Sequence, residues 1–149
     1  MSTVALPVFL QTAGYRRIPL TRNGVGHFEA AGTLAGRAVR VLIDTGAAST
    51  VISLALAREL GLALAPLGRT GGGAGGANLE IFQVSSADLR LGDAVPQTKG
   101  LYAMDLGHVN AALAQKGTLP VDAILGVDVF DAQAAVIDYG SSSLFLRDP

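Results

Sequence analysis

"VLIDTGAAST", residues 41–50, sets a carboxylate at the end of an apolar run. Val41, Leu42 and Ile43 are β-branched or aliphatic and favour a buried strand. Asp44 follows them, and Thr45-Gly46 is a turn signal. An acid at such a point is either a surface turn residue or a buried acid held for chemistry. The sequence on either side has to separate the two.

Upstream, "RRIPLTRNGVGHFEAAGTLAGRAVRVLID" (residues 16–44) has β character and predicts three strands, with turns at Asn23-Gly24 and Ala35-Gly36. In the second of these strands Phe28, Ala30 and Gly32 alternate with His27, Glu29 and Ala31, and the third ends in Asp44. Downstream the period changes. Ser53 is an N-cap candidate, Leu54, Leu56, Ala57 and Leu60 form an apolar stripe, and Gly61 is a stop, which predicts a helix of about two turns. A Gly-rich loop and two strands follow within residues 69–93. "TKGLYAMDL" predicts a strand, "GHVNAALAQKG" a short helix, "DAILG" a buried strand and "VDVF" a helical turn. "AAVIDYGSSSLFL" predicts a hairpin turning at Gly140-Ser141. The chain is thus mostly β with two or three short helices, and residues 1–14 form an arm ahead of the folded domain.

The composition narrows the function classes. The 149 residues suit one domain with one core. Twelve acids against eleven Lys plus Arg leave a net charge of -1, which gives no reason to expect a nucleic acid or an anionic membrane as partner. Half of the residues are hydrophobic and only 15% are charged, so self-association is a natural way to cover apolar surface. No apolar stretch reaches the roughly 18 residues of a membrane span. "VALPVFL" (residues 4–10) is short, contains Pro7 and follows no basic residue, which makes it a poor signal peptide. It also suits the stub of a longer export or anchor segment, so cytoplasm and periplasm both stay open. There is no cysteine and therefore no disulfide or thiolate chemistry.

Several other motifs compete with Asp44 and fall short. "GGGAGG" contains G-x-G-x-x-G at Gly71, Gly73 and Gly76. A dinucleotide site needs a strand before it and a helix after it, whereas "NLEIFQV" follows here with strand alternation. The glycines suit a mobile hairpin tip that lets backbone approach a ligand. His27 and His108 have no acidic or histidine companion at ligand spacing, so neither a metal nor a cofactor is expected. Ser141 to Ser143 lie in a turn without a nucleophile elbow. Asp122, Asp128, Asp131 and Asp138 fit capping and turns. Asp138 in "VIDYG" echoes Asp44 in "LIDTG", but Tyr139 replaces the small hydroxyl.

Three features in order resemble the retropepsin-like aspartic proteases: "VLIDTGAASTVIS" (residues 41–53), the Gly71 to Gly76 loop and "DAILGVDVF" (residues 122–130). The resemblance runs over about residues 26–147 and implies a closed, barrel-like β fold for residues 15–149. It implies that Asp44 is catalytic, with Thr45 and Gly46 supporting its loop. It implies that Ala47, Ala48 and the flap residues Gly71, Gly72, Gly73, Ala74, Gly75 and Gly76 contact substrate. Leu125 and Gly126 then lie beside the site as structural residues. Ser49 and Ala48 stand where retroviral members often carry an acid, and Val127 stands where they often carry Arg. A familiar ion pair is therefore absent, and the sequence looks closer to the bacterial or cellular branch.

Family members of this kind work as homodimers, and the chemistry explains why. Two carboxylates held close together cannot both ionise, so they share one proton and supply both a base and an acid. This chain has one Asp-Thr-Gly, so the second acid has to come from another copy across a twofold axis. The expected activity is cleavage of a peptide or protein substrate. The alternative is a dimerisation or peptide-binding module that keeps the fold without turnover. A third reading is an unrelated β domain in which Asp44 is a surface turn.

Overall fold

The computed structural model of the chain describes residues 5–71 and 79–149. Its first element was not anticipated. Within the arm, Leu6–Thr12 forms α1, with Pro7 in its first turn, where a missing N–H does no harm. Leu10 is its buried residue.

The expected three strands before Asp44 are four: β1 (Tyr15–Pro19), β2 (Thr21–Arg22), β3 (Phe28–Leu34) and β4 (Arg37–Ile43). The chain changes sheet at buried Leu20, which splits the first predicted strand into β1 and β2. The β2–β3 turn is wider than a two-residue hairpin because the Asn23 side chain organises it. Asn23 Oδ1 accepts the amides of Val25 (3.1 Å) and His27 (3.0 Å). The β3–β4 turn is the short one expected, with Ala35 (φ 51°) and Gly36 (φ 81°) both left-handed.

After Asp44 come β5 (Val51–Ser53) and α2 (Leu54–Glu59). The Ser53 hydroxyl caps α2 by accepting the Leu56 amide at 3.3 Å, and Gly61 (φ 69°) follows its end. The remaining elements are β6 (Leu64–Gly71), β7 (Leu79–Val84), β8 (Leu89–Arg90), β9 (Leu101–Met104), α3 (Gly107–Ala114), β10 (Ala123–Leu125), α4 (Val127–Ala132), β11 (Val136–Asp138) and β12 (Ser143–Arg147). β6 escapes a sequence reading because Pro66 and Gly68 interrupt its pattern, and its pairing with β7 shifts register between Pro66 and Thr70. With α1 there are four helices among the described residues, one more than the upper expectation.

The class is mostly β, as expected, but the sheets stay open. One sheet runs β1-β12-β11. The other runs β2-β3-β4-β10-β5-β9-β7-β6, with β8 attached to β3, and β2 and β6 stand unpaired with each other at its two ends. At its centre β10 lies between β4, to which it is parallel, and β5, to which it is antiparallel. The central strands are covered on both faces. Val41, Ile43, Ile52, Ala123 and Leu125 enter the main core, while Leu42 and Ile124 turn into a second cluster with Met104, Leu106, Leu113 and Val121. This is why "VLI" and "AIL" are continuous apolar runs rather than alternating ones. No helix among the described residues is long and apolar enough to cross a membrane.

One buried charge departs from the alternation expected for β3. Glu29 is buried and ion-paired with Arg40 Nη2, while its other oxygen accepts Asn23 Nδ2 at 2.8 Å. The Arg40 side chain is 41% exposed, so the two ends of the pair differ in solvation. Arg40→Met leaves a buried carboxylate with Asn23 alone, whereas Glu29→Gln leaves a cation that water can reach. Urea unfolding should therefore show the larger loss for Arg40→Met, about 2–4 kcal/mol against about 1 kcal/mol for Glu29→Gln. Equal losses would show that burial of the acid does not govern the pair.

Candidate active site

Because β10 separates β4 from β5, the loop that joins those strands has to arch over the end of β10. The loop is "DTGAAST", residues 44–50. Its two ends are tied down by β10 and the start of α4. The Asp44 amide donates to the Leu125 carbonyl at 3.0 Å, and the Val127 amide donates to the Ala47 carbonyl at 2.8 Å. Within the loop the Ala47 amide reaches the Asp44 carbonyl at 3.2 Å. The Gly46 amide donates to Asp44 Oδ1 at 2.8 Å, which fixes the carboxylate's orientation through its own turn.

Gly126 is where the loop and β10 come closest. A Cβ built there would stand 2.6 Å from the Ala47 carbonyl oxygen and 3.0 Å from the Ser49 carbonyl oxygen. Both obstacles are backbone, so they cannot swing aside. The glycine is needed for space, since its φ of -118° suits any residue.

A residue that sequence reading passed over completes the tie. Thr50 is fully buried. Its hydroxyl accepts the Gly126 amide at 3.0 Å and donates to Asp128 Oδ1 at 2.8 Å. Asp128, read as a capping acid, thus reaches back from the first turn of α4 to the loop. The only sequence signal was a hydroxyl residue entering the apolar strand "VIS", six positions after Asp44.

The structure places the predicted site residues unevenly. Asp44 is half-buried, Thr45, Gly46 and Ala48 are exposed, and Ala47 is half-buried against the second apolar cluster. Leu125 is fully buried beneath the loop. Gly71 is the last residue of β6, and Gly72, Gly73, Ala74, Gly75 and Gly76 lie outside the described residues. The base of the β6–β7 arm sits close to the loop, since Leu79 and Ile81 pack on the same cluster as Ala47.

Asp44 and Thr45 wall an open cleft of about 250 Å³ with Leu42, His27, Ile137 and Tyr139. His27, read as structural or exposed, is an exposed residue of this wall. On the rim Phe28 and Tyr139 meet edge to face at 5.0 Å, and the Arg22 guanidinium lies 4.6 Å from the Phe28 ring centre and 5.1 Å from that of Tyr139. Asp138 keeps to its own turn. The Ser141 hydroxyl first, then the amides of Gly140 and Ser141, hold its carboxyl below the usual carboxylate range.

The tie through Thr50 is open to a direct test. Thr50→Val keeps the shape but leaves the Gly126 amide without its acceptor and Asp128 without its donor. The denaturant midpoint should fall by the equivalent of about 1–3 kcal/mol, whereas Thr50→Ser should recover most of the loss. If Thr50→Val unfolds at the wild-type midpoint, the hydroxyl does not hold the loop.

In fold, the chain is similar to a retropepsin-like aspartic protease from Rickettsia conorii, at 20% identity and a TM-score of 0.51, covering 89% of this chain and 90% of that one. It is also similar to the retroviral protease-like domain of Ddi1 from Leishmania major, at 17% identity and a TM-score of 0.54, covering 81% and 88%. No curated protein matches the sequence. The aspartyl protease profile matches residues 30–129, a span that holds β4, the Asp44 loop, β10 and the Thr50–Asp128 tie, and on this match the chain belongs to the aspartyl protease family.

Proposed function

We propose that the chain is an aspartic endopeptidase, active as a homodimer in which two copies of Asp44 share one proton and activate a water. The observation that carries this reading is the setting of Asp44. Its loop is tied to the end of β10 and the start of α4 by four hydrogen bonds, yet its carboxylate opens on a cleft at the surface of one copy. A clamp of that kind suits a group that must meet a second group in a fixed geometry. Among the residues lining the cleft Asp44 is the one acid, so the second must be brought to it.

In this scheme the ionised carboxylate removes a proton from the water as it attacks the scissile carbonyl carbon. The protonated carboxyl donates to the carbonyl oxygen, and collapse of the tetrahedral species returns a proton to the leaving amine. The base and acid roles belong to the dyad and not to either copy. In this scheme Thr45, exposed beside Asp44, bonds across the axis, and exposed Gly46 leaves room for substrate backbone. The 15–149 segment carries all of these parts, with residues 1–14 as an appended arm.

Replacing Asp44 with Asn keeps an oxygen for the Gly46 amide and removes the titrating group from both copies at once. Cleavage of a peptide library should fall by several orders of magnitude, since acid and base steps are each worth roughly 10²–10⁴-fold. Folding and dimerisation should persist. An Asp44→Asn protein that cleaves at the wild-type rate would remove Asp44 from the chemistry. Wild-type protein that binds peptide but never cleaves it would favour the non-catalytic module.

A further inference from the structure

The segment between β9 and β10 crosses the second apolar cluster and is held there lightly. Its far end is fixed. The Asp122 amide donates to the Arg40 carbonyl (2.9 Å), Asp122 Oδ2 accepts the Arg40 amide (2.8 Å), and the Asp122 carbonyl accepts the Ser53 amide (2.8 Å). Before that point the hold is slight. Within α3 Leu113 is the buried residue, Val109 is half-buried, and Ala111, Ala112 and Ala114 face solvent. Among the described residues the helix backbone runs closely beside no other strand or helix. No side chain caps its N-terminus, and Gly117 (φ 71°) turns the chain after it. Two side-chain latches tie it down. Asn110 bonds both backbone groups of Val121, accepting its amide at 2.8 Å and donating to its carbonyl at 3.1 Å. The Thr118 hydroxyl accepts the Gly24 amide at 2.9 Å.

What lies under this segment is continuous with the Asp44 site. Val109 and Leu113 share their cluster with Leu42 and Ile124 of the central strands, Ala47 of the Asp44 loop and Ile81 of β7. Leu42 also lines the Asp44 cleft. Val25 enters the same cluster from the β2–β3 turn, and the next two residues of that turn, Gly26 and His27, line the cleft. The latch between Thr118 and Gly24 therefore ties the exit of α3 to a wall of the cleft.

We propose that residues 106–120 form a lid, closed in this structure over an apolar floor that extends the Asp44 cleft, and that a peptide substrate opens it by placing its own apolar side chains where Val109 and Leu113 lie. The lid rests on the peptidase reading of Asp44 and adds a gate to it. The exchange is like for like. Apolar surface uncovered by the lid is covered again by the substrate, so little burial is lost. The Gly24 latch also opens at small cost, because Gly24 is exposed and its amide turns to water when Thr118 leaves. A lid closed in most molecules lowers the apparent affinity for substrate by the fraction that is open.

The chain has no cysteine, and a Cβ built at Gly24 stands 3.9 Å from the Thr118 Cβ, inside the disulfide range of about 3.5–4.5 Å. Gly24→Cys combined with Thr118→Cys therefore gives a staple that holds the lid shut when oxidised. The Lys116 carbonyl oxygen, 2.9 Å from the new Cβ, has to yield slightly. It does so in both redox forms, so their ratio reads the staple alone. For peptides with apolar residues around the scissile bond, kcat/KM should be at least about tenfold lower in the oxidised form than in the reduced form. Equal cleavage by the two forms overturns the lid. Hydrogen exchange reads the wild type without turnover. A saturating peptide with a hydroxyl in place of the scissile bond should speed exchange at the α3 amides. If α3 stays as protected as before, the lid fails, and cleavage by the same protein leaves the peptidase reading standing. A wild type that binds the peptide and opens α3 but cleaves nothing keeps the lid and overturns the peptidase reading. One that binds no such peptide overturns both.

Discussion

The insertion of β10 between β4 and β5 is the constraint from which the site follows. Two strands joined by a short loop would ordinarily pair with each other. Here they are held two strand spacings apart, about 10 Å, and the loop must cross that gap over the end of β10. Crossing exposes loop backbone that a hairpin would have satisfied. Each requirement is met by a named group: the Leu125 carbonyl takes the Asp44 amide, the Ala47 carbonyl takes the Val127 amide, and Thr50 takes the Gly126 amide. Gly126 has to lack a side chain because the loop passes directly over it. The acid is held rigidly as a result of the way the strands are ordered, before any chemistry is considered.

The same insertion explains the apolar cost of the centre. β10 is three residues long, and all three are buried. β4 and β5 are likewise covered on both faces, by two clusters that meet through the sheet. Local unfolding of the loop would therefore have to disturb α4, β10 and the buried Thr50–Asp128 bond together. By contrast Arg22, His27 and Tyr139 are exposed at the cleft's rim, while Phe28, against which Arg22 and Tyr139 pack, is buried in the main core.

The parts that were legible in the sequence are those written in local chemistry. Asp44-Thr45-Gly46 after an apolar run, Ser53 as a cap, Gly61 as a stop and Ala35-Gly36 as a turn all act within a few residues of themselves. What escaped depends on long-range partners. Glu29 sat in the polar phase of an alternating strand, and only the approach of Arg40 and Asn23 makes its burial tolerable. Thr50 and Asp128 are 78 positions apart and have no joint signature. β6 was hidden by Pro66 and Gly68, since a strand with a register shift loses its period of two. The closed barrel came from resemblance alone, and the open ends at β2 and β6 correct it.

Exposure of the loop's tip completes the logic of the site. Thr45 and Gly46 lie between the tied residues Asp44 and Ala47 and yet are open to solvent in a single copy. A surface Asp turn would need no buried threonine beneath it, no glycine without room for a methyl group and no strand wedged below. A finished single-chain site would not leave its acid beside an open wall of Ile137 and Tyr139. Rigid support below and an unfinished surface above are together what half of a symmetric site requires. In the proposed dimer the clamp would set where each carboxylate stands, and the axis what it meets.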